Sequence, residues 1–188
     1  MEAFLVSTLA VAVGEIGDKT QLLALVLAAR FRRPVPIALG ILFATLANHT
    51  LAALAGEWIR AALGPDQLRW AIGVSFLAVA LWALKPDKME KEPATAGRLG
   101  VFMVTLVAFF LVEIGDKTQV ATVVLAARFN ELAAVVAGTT LGMLIANVPV
   151  VYLGGAAAPR IPFRFVRGVA AAIFAALGLA SLLGFEIL

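Results

Sequence analysis

The chain predicts an all-α membrane protein with six transmembrane helices, arranged as two inverted three-helix repeats. Three observations carry this. The sequence is 62% hydrophobic and 14% charged, with a mean hydropathy of +1.00; a soluble domain is about half apolar and a quarter charged. Its apolar residues fall into runs long enough to cross a hydrocarbon core of about 30 Å, which takes about 20 helical residues. One heptapeptide, EIGDKTQ at residues 15–21, returns letter for letter at residues 113–119.

The runs lie at roughly 4–29, 34–56, 66–84, 100–127, 131–155 and 164–186. In lipid each is expected to be a helix, because no other open segment satisfies its own backbone. Breakers separate them: RRPVP at 32–36, LGPD at 63–66, KPDKMEKEP at 85–93 and APRIP at 158–162. The first run lacks a basic leader and a small-residue cleavage site, so it reads as a retained helix and not a signal peptide. The polar segment 85–99 divides the chain into a first unit, 1–84, and a second, 100–188.

The duplication extends beyond the heptapeptide. LAARF occurs at 27–31 and again at 125–129, and Gly40, Arg69 and Phe76 match Gly138, Arg167 and Phe174. A unit that crosses three times starts its second copy on the opposite side of the membrane, which makes the repeats inverted. One face then carries Arg30, Arg32, Arg33, Lys85, Lys88, Lys91, Arg98, Arg160, Arg164 and Arg167. The other carries only Arg60, Arg69 and Arg128. The positive-inside rule makes the richer face cytoplasmic, with the linker inside and both termini outside. Trp58, Trp70 and Trp82 fall at expected helix ends, where aromatic belts form.

Composition also excludes chemistry. With no cysteine there are no disulfides and no thiolate metal sites. A net charge of +3, dispersed between apolar runs, reports orientation and not nucleic-acid binding.

Charge inside a membrane costs a few kcal/mol per residue and points to function by default. On a continuous helix Glu15 and Asp18 are i,i+3 neighbours, Gln21 follows on roughly the same side, and Thr8 extends the stripe. Glu113, Asp116 and Gln119 repeat the pattern. Gly17 and Gly115 would allow a close helix approach, or unwinding at the Gly-Asp step. Two Glu-Asp sets on facing helices make an oxygen site for a hard divalent cation, Ca²⁺ or Mn²⁺. Neither motif holds His or Cys, which argues against copper and zinc. Glu15, Asp18, Glu113 and Asp116, set against Lys19 and Lys117, sum to a charge of −2. One divalent cation or two protons would balance it, as an exchanger requires. The plainer alternative makes Glu15–Lys19 and Glu113–Lys117 structural i,i+4 pairs.

Two copies of E-φ-G-D-[KR]-[TS], each opening one half of a six-helix chain, resemble the Gdt family of manganese/calcium transporters, more distantly the lysine exporters. Both motifs match in full, from Glu15 to Thr20 and from Glu113 to Thr118. The resemblance implies divalent cation/proton antiport with the motif carboxylates as the metal site. For a minimal bacterial form it implies Mn²⁺ export from the cytoplasm across the inner membrane. No resident cofactor is expected beyond the transported Mn²⁺ or Ca²⁺ and protons. The expected partners are the bilayer and the metal ion, with oligomeric state open, a homo-oligomer included.

Supporting positions follow. Asn48 and Asn147 sit in the second and fifth runs one residue out of step, where interhelical hydrogen bonding is the first expectation and ligation the second. Thr20 and Thr118 are expected to ligate or to bond backbone. His49, the one histidine, is expected to pack or gate. Among rivals, an intramembrane aspartyl protease lacks here the first glycine of G-x-G-D and its Tyr-Asp partner. An exporter of an amino acid or other small organic cation is the alternative, with Lys19 and Lys117 as the only anion partners. A channel fits midplane charges in inverted repeats less well than alternating access.

Overall fold

The computed structural model describes residues 1–86, 100–153 and 163–184. Lys88, Lys91, Arg98, Arg160 and most of the linker lie outside the described residues, as do the last positions of the fifth and sixth runs. The described residues form eight helices: α1 (Glu2–Glu15), α2 (Lys19–Phe31), α3 (Pro34–Ala62), α4 (Pro65–Ala83), α5 (Gly100–Glu113), α6 (Lys117–Phe129), α7 (Leu132–Leu153) and α8 (Phe163–Leu183).

The first and fourth apolar runs are therefore not continuous helices. Each breaks at its EIGDKT motif into two halves, α1–α2 and α5–α6. The cause is local. Gly17 and Gly115 adopt φ of 84° and 75°, a left-handed conformation that only glycine enters at no steric cost. A Cβ on Gly115 would meet nothing within 4 Å, so that glycine serves the turn and not a close helix approach. The freed backbone is re-satisfied in the same way in both copies. Gly17 N–H donates to Gln21 Oε1 (2.9 Å) and Gly115 N–H to Gln119 Oε1 (2.7 Å). Asp18 N–H and Asp116 N–H donate to the carbonyls of Glu15 and Glu113, both at 3.0 Å.

The other boundaries follow ordinary rules. α3 and α4 begin with proline in their first turn, where its missing N–H costs nothing. α2 and α6 end on left-handed caps, Arg32 and Asn130, whose N–H groups return to Ala28 O and Ala126 O. α3, α7 and the segment Arg164–Leu183 are long and apolar enough to cross a membrane, with α5 a shorter apolar helix; α4 is not in that group.

Packing repeats between the halves. α3 lies on α5, and α7 on α1. A Cβ on Gly40 would fall 2.6 Å from Thr105 Cβ and 3.0 Å from Phe102 O; one on Gly138 would fall 3.1 Å from Ser7 Cβ and 2.5 Å from Phe4 O. The duplicated glycines thus seat matching helix crossings. α4 packs on α8, where Phe76 and Phe174 stack with ring centroids 6.3 Å apart.

The interior combines two apolar clusters with a set of buried polar side chains, and large apolar side chains also cover the outside. Ser7, Thr45, Asn48, His49, Thr105, Thr122, Thr139 and Asn147 are buried, while Leu5, Leu9, Phe43, Leu51, Leu81, Leu111, Ile145 and Leu179 are exposed. An exterior of this kind suits lipid and not water. Trp58, Trp70 and Trp82 are also exposed, near the ends of α3 and α4.

Candidate metal centre

The two helix breaks bring the motifs together. Glu15 ends α1 and Glu113 ends α5, while Asp18 and Asp116 stand at the N-caps of α2 and α6. All four carboxylates are buried. Glu15, Glu113 and Asp116 each offer an oxygen within 4.8 Å of the others. Asp18 is not part of that cluster. Its Oδ1 accepts from Lys19 N–H (2.8 Å), capping α2, whereas Asp116 makes no side-chain cap on α6. The i,i+3 stripe expected of a continuous helix is replaced by a turn that places Glu and Asp on opposite sides of a break. Thr8 does not join them; its hydroxyl bonds Phe4 O within α1 (2.7 Å).

The lysines cross between motifs. Lys19 Nζ lies 3.0 Å from Asp116 Oδ1, and Lys117 Nζ lies 3.0 Å from Asp18 Oδ1. The ion pairs thus run between motifs, Lys19 to Asp116 and Lys117 to Asp18, where the sequence had offered the local i,i+4 pairs Glu15–Lys19 and Glu113–Lys117.

The threonines serve the glutamates. Thr20 Oγ1 donates to Glu15 Oε2, and Thr118 Oγ1 donates to Glu113 Oε1 (2.9 Å), with Asp116 Oδ2 at 3.4 Å. Each glutamate keeps one oxygen, Glu15 Oε1 and Glu113 Oε2, with no hydrogen-bond partner among the described residues. Such atoms in the interior carry a cost unless something else meets them.

The glutamines act as braces. Their oxygens already accept from the glycine N–H groups, and their amides reach across the molecule: Gln21 Nε2 to Ala146 O (3.0 Å) and Gln119 Nε2 to Asn48 Oδ1 (3.3 Å). Asn48 Nδ2 also donates to Phe110 O (2.9 Å), so Asn48 ties α3 to α5 and α6. Asn147 differs. Its Nδ2 donates to Met143 O and Sδ on its own helix, and its Oδ1 has no hydrogen-bond partner among the described residues.

His49 was expected to pack or to gate. His49 is fully buried, with Nε2 3.9 Å from Glu113 Oε1 and no hydrogen bond to either ring nitrogen among the described residues. The available signal was the repeat register: aligning the two motifs sets His49 against Asn147.

Two surface cavities flank the assembly, about 790 Å³ beside Glu57, Arg60 and Asn130, and about 330 Å³ beside Arg32, Pro34 and Tyr152. Neither is lined by a motif carboxylate.

The sequence profile of the divalent cation/proton antiporter GDT1 family matches residues 3–91 and 101–186. A Vibrio cholerae protein described as "Putative manganese exporter" is 49% identical over 182 residues, covering 96% of this chain and 90% of the relative. A Synechocystis "GDT1-like protein" is 29% identical, covering 93% of each chain. No solved structure matches at a significant level. The family is one of transporters, so its members carry ions and are not grouped by an enzymatic reaction. With its apolar helices and a profile match over both halves, this integral membrane protein belongs to the divalent cation/proton antiporter GDT1 family.

Proposed function

We propose that the chain exchanges a divalent cation for protons, Mn²⁺ first and Ca²⁺ second, exporting the metal from the cytoplasm across the inner membrane. The observation that carries this is the meeting of Glu15, Glu113 and Asp116 oxygens within 4.8 Å. Oxygen donors at such separations suit one hard cation. The crossed Lys19–Asp116 and Lys117–Asp18 pairs account for two carboxylates and two ammonium groups. The remaining charge of −2 then rests on Glu15 and Glu113, each oriented by a threonine. One divalent ion or two protons neutralise that pair, and one site that accepts either but not both is what coupled exchange needs.

The reading takes α1–α2 and α5–α6 as two broken spans among six, in three-helix units at 1–84 and 100–188 joined by the 85–99 linker. Inverted repeats of this kind hold ions at the breaks near the midplane. The corresponding crossings at Gly40 and Gly138 and the Phe76–Phe174 stack support it. Alternating access draws support from inequality. The motifs are identical in sequence, yet the Lys19 side chain is 24% exposed and that of Lys117 3%. The basic linker faces the cytoplasm in this reading, and both termini face outward.

Calorimetric titration tests it. Purified protein should bind one Mn²⁺ per chain and release protons as it does so, and Glu15→Gln should abolish both. Binding of Mn²⁺ that is unchanged in Glu15→Gln would refute the site.

A further inference from the structure

We infer that His49 supplies a nitrogen ligand to the transported ion and that this ligand makes the site favour Mn²⁺ over Ca²⁺ and Mg²⁺. The inference rests on the reading of Glu15, Glu113 and Asp116 as ion ligands.

His49 sits on α3, the helix that packs against α5, α6 and α7. It is 0% exposed, and neither Nδ1 nor Nε2 has a hydrogen-bond partner among the described residues. A buried imidazole left without partners is costly and calls for a reason. The separation of Nε2 from Glu113 Oε1, 3.9 Å, is too long for a hydrogen bond. It does fit two donors, His49 and Glu113, on one ion; the group whose atoms all lie within 4.8 Å of one another is Glu15, Glu113 and Asp116, with His49 outside it, so its ligation requires a side-chain adjustment as the ion binds. Ligands about 2.1–2.4 Å from a shared metal stand between about 3 and 4.5 Å apart, according to the angle between them. Glu15 Oε1 and Glu113 Oε2 are unpartnered in the same interior.

The second observation is an asymmetry in an otherwise duplicated site. The repeat register matches His49 with Asn147. The Asn147 amide nitrogen is engaged with Met143, while its Oδ1 has no hydrogen-bond partner among the described residues. One half thus offers an imidazole nitrogen where the other offers an amide oxygen. Oxygen ligands serve Ca²⁺ and Mg²⁺, whereas imidazole suits transition metals. A single nitrogen among carboxylates leaves the site hard enough for Mn²⁺ and adds a bond that Ca²⁺ and Mg²⁺ gain little from.

The test uses the full chain, purified without a histidine tag in lipid nanodiscs and loaded with one Mn²⁺. Pulsed electron paramagnetic resonance reads ¹⁴N coupling to the bound ion. His49 is the only histidine, so an imidazole signal has one source. Wild type should show it and His49→Asn should not. In parallel, His49→Asn should weaken Mn²⁺ binding roughly tenfold or more and leave Ca²⁺ binding within about twofold, in keeping with the ligand preferences of the two ions. His49→Gln provides the same comparison should the first variant not fold. Wild type that binds Mn²⁺ without imidazole coupling, or a variant that loses both ions equally, overturns the His49 assignment alone. Wild type that binds neither ion overturns the carboxylate reading beneath it, and a Glu113→Gln control separates the two results.

Discussion

Lys117 Nζ lies 3.0 Å from Asp18 Oδ1, although the two residues belong to different motifs and opposite halves of the chain. Lys19 and Asp116 mirror the contact at the same distance. The motif lysines thus neutralise carboxylates across the repeat boundary. Removing one partner of a buried pair leaves an uncompensated charge, at about 3–5 kcal/mol. Lys117→Met should therefore lower thermal stability strongly, and Asp18→Asn combined with it should recover much of the loss. Lys19→Met, at the more exposed pair, should cost less. Melting curves of the four proteins in detergent check the order.

The glycines at the breaks and at the crossings should fail for different reasons. Gly115→Ala meets no neighbour, so its cost is the left-handed backbone, about 1–2 kcal/mol. Gly40→Ala drives a methyl into Thr105 and the Phe102 carbonyl, and overpacking of that kind costs about 1–3 kcal/mol or more. Gly40→Ala should separate α3 from α5, which a cross-link between introduced cysteines on those helices would report as a lower yield. Gly115→Ala should leave that yield intact while reducing transport.

Thr118 and Thr20 hold the glutamates by donation alone. Valine in place of Thr118 keeps the shape and removes the donor. Hydrogen bonds to charged groups contribute about 1.5–3 kcal/mol, so Thr118→Val should weaken metal binding by roughly 10- to 100-fold with little change in melting temperature. Equilibrium metal titration beside a melting curve distinguishes this from a folding defect.

In the proposed exchange metal and protons compete for the same carboxylates, so acid should weaken binding. If two protons leave as one divalent ion enters, apparent affinity should fall roughly 100-fold for each unit drop in pH across the range where the site takes up protons. In Glu113→Gln any residual binding should fall only about tenfold per unit. Slopes of affinity against pH for the two proteins give the count.

Much of this was legible in the sequence, for stated reasons. Apolar runs give helices because lipid leaves the backbone no other partner, and the duplicated EIGDKTQ identifies the four carboxylates. The helix breaks were foreshadowed only by the Gly-Asp step, since a lone glycine in an apolar run is also a packing device. The crossed lysine pairs were hidden because i,i+4 reasoning presumes a continuous helix, and the left-handed turns at Gly17 and Gly115 void that premise. Gln21 and Gln119 look like ligands by spacing, but the same turns expose glycine N–H groups that claim their oxygens. His49 stood apart because the carboxylate nearest its Nε2 among the ion pairs, Glu113 at 3.9 Å, comes from another helix.

The central claim is that metal and protons are exchanged at the Glu15–Glu113 site. Reconstituted vesicles carrying a metal indicator and an internal pH dye test it most directly, with Mn²⁺, Ca²⁺ or Mg²⁺ added under a set proton gradient. Metal influx should drive proton efflux in wild type, and Glu15→Gln and Asp116→Asn should abolish both together. Metal movement with no proton counterflow, or counterflow that survives both substitutions, would contradict it.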